Sequence, residues 1–206
     1  MVADLGTALI GALVFGAAGV CGALLATLLL PKLERFEDGP APHEVHPALL
    51  IAGAALLGAV IGWRQIPEAD FIISALATVC LVAIWYCDAR TGIIPDVLTL
   101  IPLGALFVYA LFARQPFTIV SGIALFLPFG VLALFSKGRG MGWGDAKLAA
   151  LGGALVGLIP ATFAFIAASF LAAAITWFRY RRPNVPVALG PYLVTAIAVC
   201  IALQTP

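Results

Sequence analysis

Three of the ten acidic residues stand directly at the ends of long apolar runs. Asp88 closes the run 71–87, and Asp96 opens the run 97–113. Asp145 follows Gly142, Trp143 and Gly144 and leads into Ala146, Lys147, Leu148 and a further apolar segment. An ionisable group at such an edge is costly if it faces lipid, so it normally points into the protein or into a wet cavity. Two carboxylates that meet there can do aspartic-protease chemistry. One, ionised, takes a proton from water and makes it nucleophilic; the other, protonated, donates to the carbonyl oxygen of the scissile bond. Two like charges at close range do not both ionise cheaply, so the pair shares one proton. Glycines beside Asp145 would leave room for a substrate backbone, because they carry no side chain and tolerate unusual dihedrals. The local alternative is capping, since Asp at a helix start satisfies free backbone N–H groups. It competes most strongly for Asp96, which follows Ile94 and Pro95. Asp88 ends an apolar run, where the helix dipole disfavours an anion, and capping does not explain it.

The elements that must carry these residues are membrane helices. Of 206 residues, 63% are hydrophobic and 10% charged, with a mean hydropathy of +1.12. A soluble domain carries about 25% charged residues. This composition excludes a disordered chain, a nucleic-acid binder and a water-soluble enzyme. The remaining acidic residues, Asp4, Glu34, Glu37, Asp38, Glu44, Glu68 and Asp70, fall in the polar stretches between runs. Runs without any charge lie between Asp4 and Lys32, Glu44 and Arg64, Asp70 and Asp88, Asp96 and Arg114, Arg114 and Lys137, Lys147 and Arg179, and from Arg182 onward. Most approach the ~17–25 residues that an α-helix needs to cross the hydrocarbon core. The run after Lys147 is longer, and Gly157, Leu158, Ile159 and Pro160 interrupt it.

The positive-inside rule decides how that run is divided. A turn at residues 157–160 gives eight spans with both termini on one side. Alternate loops then collect Lys32, Arg35, Arg90, Lys137, Arg139, Lys147, Arg179, Arg181 and Arg182, nine of the eleven basic residues, leaving Arg64 and Arg114 opposite. The expected fold is therefore all-α: a polytopic membrane bundle of about eight transmembrane helices, the sixth short, in one domain over residues 1–206. The start of the chain has no basic residue before its apolar run, which is too long for a secretory signal. Cys21, Cys80, Cys87 and Cys200 form no C-x-x-C pair and read as small core residues. Gly and Ala at four-residue spacing, from Gly53 to Leu57 and Gly58 and from Gly152 and Gly153 to Gly157, fit close helix packing.

The motifs carry a family resemblance. Residues 142–148, Gly-Trp-Gly-Asp-Ala-Lys-Leu, resemble the G-x-G-D-x-K-L signature of the type IV prepilin peptidases, which belong to the GxGD intramembrane aspartic proteases. Asp88, followed by Ile94, Pro95 and Asp96, resembles that family's second motif. Val185 and Pro186, with Leu189, Gly190, Pro191 and Tyr192, resemble its late I-P-x-G-P segment with slightly longer spacing. The ordered set spans roughly Ile72 to the C-terminus. The resemblance implies that Asp88 and Asp145 are catalytic. Asp96 would support them, with Pro95, Gly142, Gly144, Lys147, Pro186, Gly190 and Pro191. The substrates would be type IV prepilins or pilin-like secretion subunits. Their short basic leader would be removed at the cytoplasmic face of the bacterial inner membrane, with no metal or organic cofactor. Long bifunctional members also methylate the new N-terminus with S-adenosylmethionine, and carry two zinc-binding C-x-x-C pairs in an insertion after the first helix. Here that loop is only residues 32–46 and has no cysteine, so cleavage without methylation is expected.

Smaller features have plainer readings. His43 and His46 flank Glu44, but so few ligands in a loop read as solvated rather than as a metal site. The stretch 32–44 carries net negative charge and is either solvating or an attractant for a basic leader. The cluster 179–182 reads as a lipid anchor. Trp63, Trp85, Tyr86, Trp143 and Tyr192 read as interfacial aromatics. The rival function is a small transporter or channel in which the acids bind a cation. The Gly-x-Gly before Asp145 and the position of the acids at an edge, away from the midplane, favour the protease.

Overall fold

The computed structural model describes residues 5–33, 46–136, 141–181 and 188–203. Outside them lie Glu34, Arg35, Glu37, Asp38, His43, Glu44, Lys137, Arg139, Arg182, Val185 and Pro186, so the readings placed on those residues concern undescribed segments. Among the described residues eight α-helices follow one another: α1 Leu5–Leu29, α2 Pro47–Arg64, α3 Glu68–Thr91, α4 Asp96–Phe112, α5 Pro116–Ser136, α6 Trp143–Val156, α7 Leu158–Tyr180 and α8 Gly190–Leu203. A short 3-10 turn, Leu30–Lys32, extends α1.

Five helices, α1, α2, α3, α5 and α7, are long and apolar enough to cross a membrane, and α4 and α8 are shorter apolar helices. Large apolar side chains are exposed along the outer faces, among them Leu13, Leu28, Phe112, Phe117, Phe135, Phe163, Phe170 and Phe178. In water such a surface would be prohibitive; in lipid it is the ordinary exterior of a span. The molecule is an integral membrane bundle.

The division of the long run falls where the Gly-Leu-Ile-Pro interruption predicts. Val156 ends α6, Leu158 begins α7, and Gly157 between them has φ 87° and ψ 162°. Only glycine takes that conformation without strain. With 14 residues, α6 rises about 21 Å, short of the hydrocarbon thickness. Its composition explains its place. Ala146, Leu148, Ala149, Ala150, Leu151, Gly152, Gly153, Ala154 and Val156 are buried, and α4, α5, α7 and α8 all pack on it. It is the core of the bundle rather than a lipid-facing span.

Small residues let the backbones approach. A Cβ at Gly153 would fall 2.7 Å from the Ser121 carbonyl oxygen, and one at Gly152 would collide with the Phe165 ring. On the other side of the bundle, a Cβ at Gly58 would meet the Gly11 carbonyl oxygen. Two of the spacing expectations are corrected: a Cβ at Gly53 would meet nothing, and Gly157 serves the turn. The cysteines also divide. Cys87 is buried, whereas Cys21 is exposed on the outer face. Of the expected interfacial aromatics, Trp63 and Trp143 are half-exposed but Tyr86 is buried, under the Arg90 guanidinium at 4.8 Å.

Candidate active site

Four helix ends meet at one end of the bundle: the C-terminus of α3 and the N-termini of α4, α6 and α8. Asp88 lies in the last turn of α3. That helix stops because Gly92 adopts φ 71° and donates its N–H to the Asp88 carbonyl at 2.9 Å, the glycine C-cap. Thr91 shapes the exit: its Oγ1 donates to the Cys87 carbonyl at 2.8 Å and accepts the Ile93 N–H at 3.2 Å. The chain then runs through buried Ile94 and Pro95 into α4.

The Asp88 side chain is 4% exposed, against the dipole of its own helix. A second helix resolves the conflict. The Gly190 N–H, at the first residue of α8, donates to Asp88 Oδ2 at 2.9 Å. The unsatisfied N–H groups and partial positive charge of that N-terminus face the carboxylate. Gly190 and Pro191 are both buried there. A Cβ at Gly190 would stand 2.6 Å from Asp88 Oδ2 and 3.0 Å from Asp88 Cβ, so the approach requires glycine.

Asp145 is the third residue of α6, and Gly142 is its N-cap. The Gly142 N–H donates to Asp145 Oδ2 at 3.1 Å, and the Asp145 N–H donates to the Gly142 carbonyl at 3.2 Å. The carboxylate supplies the N3 half of a capping box, and the bond back to Gly142 goes to its backbone carbonyl because glycine has no side chain to accept it. Capping, the local alternative for Asp145, is therefore a real contact of one carboxylate oxygen. It does not isolate the residue, because Gly144 beside it packs against Ile94 in the segment that follows Asp88. The two carboxylates that the sequence singled out stand at the same end of the bundle, where the segment leaving α3 and the start of α6 pack together.

Of the two glycines of the motif, Gly142 and Gly144, only Gly144 departs from the expectation of open space for a substrate. Both have ordinary dihedrals, since neither shows a positive φ. A Cβ at Gly144 would lie 2.8 Å from Ile94 Cβ, so the space is already filled by the segment that follows Asp88. At Gly142 a Cβ would make only an ordinary contact, 3.5 Å from Asp145 Oδ2.

The capping alternative for Asp96 is also corrected. Pro95 is the N-cap of α4, and no side chain caps that end. Asp96 Oδ1 instead pairs with Lys147 Nζ at 2.6 Å, tying the start of α4 to the first turns of α6. The hydroxyl of buried Thr99 donates to the Asp96 carbonyl at 3.1 Å. His46, weighed as a metal ligand, accepts the Ala48 N–H on Nδ1 at 3.3 Å and caps α2.

Residue-by-residue reading of the sequence missed three contributors. Ile94 is the surface against which Gly144 packs. Thr91 orders the turn, and a Thr immediately before a C-capping glycine was the available signal. Arg64, at the opposite end of the bundle, donates from Nη1 to the Ala202 carbonyl at 2.6 Å and so holds the far end of α8, a contact with no sequence signal.

The family described as the type IV leader peptidase family matches residues 75–177, half of the chain. The prepilin leader peptidase/N-methyltransferase of Dickeya chrysanthemi is 32% identical over 167 residues, covering 75% of this chain and 58% of that protein. The protein of the same name from Aeromonas hydrophila is 30% identical over 175 residues, covering 79% and 59%. The chain thus spans under two thirds of the length of the curated relatives it matches. No solved structure matches it. The matched region holds Asp88, Asp96 and Asp145 with α4 to α6 complete, and on that match the chain belongs to the type IV leader peptidase family.

Proposed function

We propose that the chain is an intramembrane aspartic endopeptidase that removes the leader from type IV prepilins or pilin-like secretion subunits. Its active site faces the cytoplasm in the bacterial inner membrane. The observation that carries this reading is the placement of Asp88 and Asp145 at the same end of the bundle, each with one oxygen already held by a backbone N–H. The names of the two curated relatives support the substrate class. The basic residues Lys32, Arg90, Lys147 and Arg181 belong to the end that carries the aspartates, which supports a cytoplasmic orientation.

In the proposed reaction a water lies between the two carboxylates. The ionised member accepts a proton from that water as its oxygen attacks the scissile carbonyl carbon. The protonated member gives its proton to the carbonyl oxygen, forming a tetrahedral gem-diol. Collapse of that intermediate breaks the C–N bond. The amine leaves with a proton from the carboxyl group that took one from water, and the first proton returns to its donor. Sharing one proton keeps two buried negative charges from coexisting. Asp96 and Lys147 support the site by fixing α4 against α6.

The test is cleavage itself. Membranes containing the chain are incubated with a purified prepilin, and the product is sequenced from its new N-terminus. A single cut between leader and apolar helix is expected. An intact prepilin under conditions where a prepilin peptidase of known activity cleaves it would overturn the reading.

A further inference from the structure

We infer that the backbone N–H of Gly190 is the positioning group for Asp88, and that α8 serves the reaction by delivering it. The inference rests on the peptidase reading above and assigns a specific duty to a helix that contributes no acid to the pair.

Asp88 stands at the wrong end of its own helix. The carbonyl ends of α3 repel an anion, and its last turn offers no N–H to hold the side chain. Left to α3 alone, the carboxyl would rotate to whichever staggered position its neighbours leave open. Contact with α8 removes that freedom. The 2.9 Å bond from Gly190 fixes Oδ2, and a charge-assisted bond to a backbone donor is both short and directional. With Oδ2 held, Oδ1 is the oxygen left for the reacting water and for Asp145. On the other side Gly142 holds Asp145 Oδ2 in the same way. Each acid of the pair is thus oriented by one glycine amide, but Gly142 is local to its aspartate, whereas Gly190 is 102 residues away.

Two further observations show that α8 is held for this purpose. The backbone can come this close only without a side chain, because a Cβ at position 190 would fall on the carboxylate. The opposite end of the 14-residue helix is fixed by Arg64 on the Ala202 carbonyl. The helix is therefore restrained along its axis at both ends, and its N-terminus is kept from withdrawing.

The test removes the N–H without adding a side chain. Glycolic acid is incorporated at position 190 by suppression of a nonsense codon, converting the amide to an ester, and the full chain is placed in nanodiscs. The expected result is a fall in kcat of about ten- to hundredfold with KM within about twofold of the parent and an unchanged melting temperature. Gly190→Ala, which adds the colliding Cβ, should lower kcat at least as far. An ester variant with parental kcat overturns the inference. So does one whose only change is in KM, which would make the amide a substrate contact, and so does a loss of activity that tracks loss of folded protein. Asp88→Asn is measured in the same assay. If that variant cleaves normally, the peptidase reading fails; if it is inactive while the ester variant is unimpaired, only the positioning role fails.

Discussion

Lys147 Nζ and Asp96 Oδ1 stand 2.6 Å apart, joining the residue that opens α4 to the helix that carries Asp145. Lys147 follows Asp145 by two positions, so the pair fixes one side of the α6 N-terminus while the other side presents the carboxylate. Asp96 is 59% exposed, which bounds the energy of the pair, since exposed ion pairs contribute about 0.2–1 kcal/mol. Its contribution is alignment of two segments rather than stability.

Asp96→Asn should therefore be mild. The amide oxygen still accepts from Lys147, and the expected loss of cleavage rate is less than about fivefold, the equivalent of about 1 kcal/mol. Lys147→Asp should lose more, because it sets two carboxylates against each other, and adding Asp96→Lys should restore part of the rate. Initial rates for the four proteins at equal membrane concentration decide the matter. No restoration in the double variant would show that the pair does not act as a unit.

For the aspartate pair, Asp88→Asn and Asp145→Asn should each abolish cleavage while the protein inserts and folds. Either substitution leaves the shape and removes one half of the proton exchange. The double variant should be no worse than either single one, because the two groups act together. Substantial activity in either single variant, measured against equal expression, would refute the assignment.

Gly144→Ala tests the packing of the two motif segments. A Cβ there meets Ile94 Cβ at 2.8 Å, and a branched carbon bound to its own backbone cannot swing aside. Overpacking of this kind costs about 1–3 kcal/mol, and the rate of cleavage should fall with it. Shortening the neighbour in Gly144→Ala with Ile94→Ala should recover stability. A thermal melt in which the single variant matches the parent would show that the contact relaxes freely.

Methylation is the remaining prediction. Residues 32–46 between α1 and α2 contain no cysteine, so that loop has no thiolate set for a zinc-held module. A purified sample given prepilin and radiolabelled S-adenosylmethionine should release the leader and yield an unlabelled pilin. Stoichiometric label in the product would contradict this.

What the sequence by itself determined was everything governed by local composition and order. Apolar runs marked the helices, because lipid tolerates no unsatisfied backbone. The glycine and proline after Val156 marked the break between α6 and α7, because no other residue adopts the Gly157 backbone without strain. The aspartates at run ends were legible because charge beside hydrocarbon is too costly to be incidental. What only the tertiary structure decided was the use of each group's second partner. Nothing in α3 shows that Asp88 would be answered by an amide 102 residues later, or that Asp96 would choose Lys147 over its own helix end. Nor does the motif itself show that the space at Gly144 would be taken by Ile94 rather than kept for substrate. Those outcomes depend on how closely helix backbones approach across the bundle, and each close approach is a sum over both partners that neither segment encodes alone.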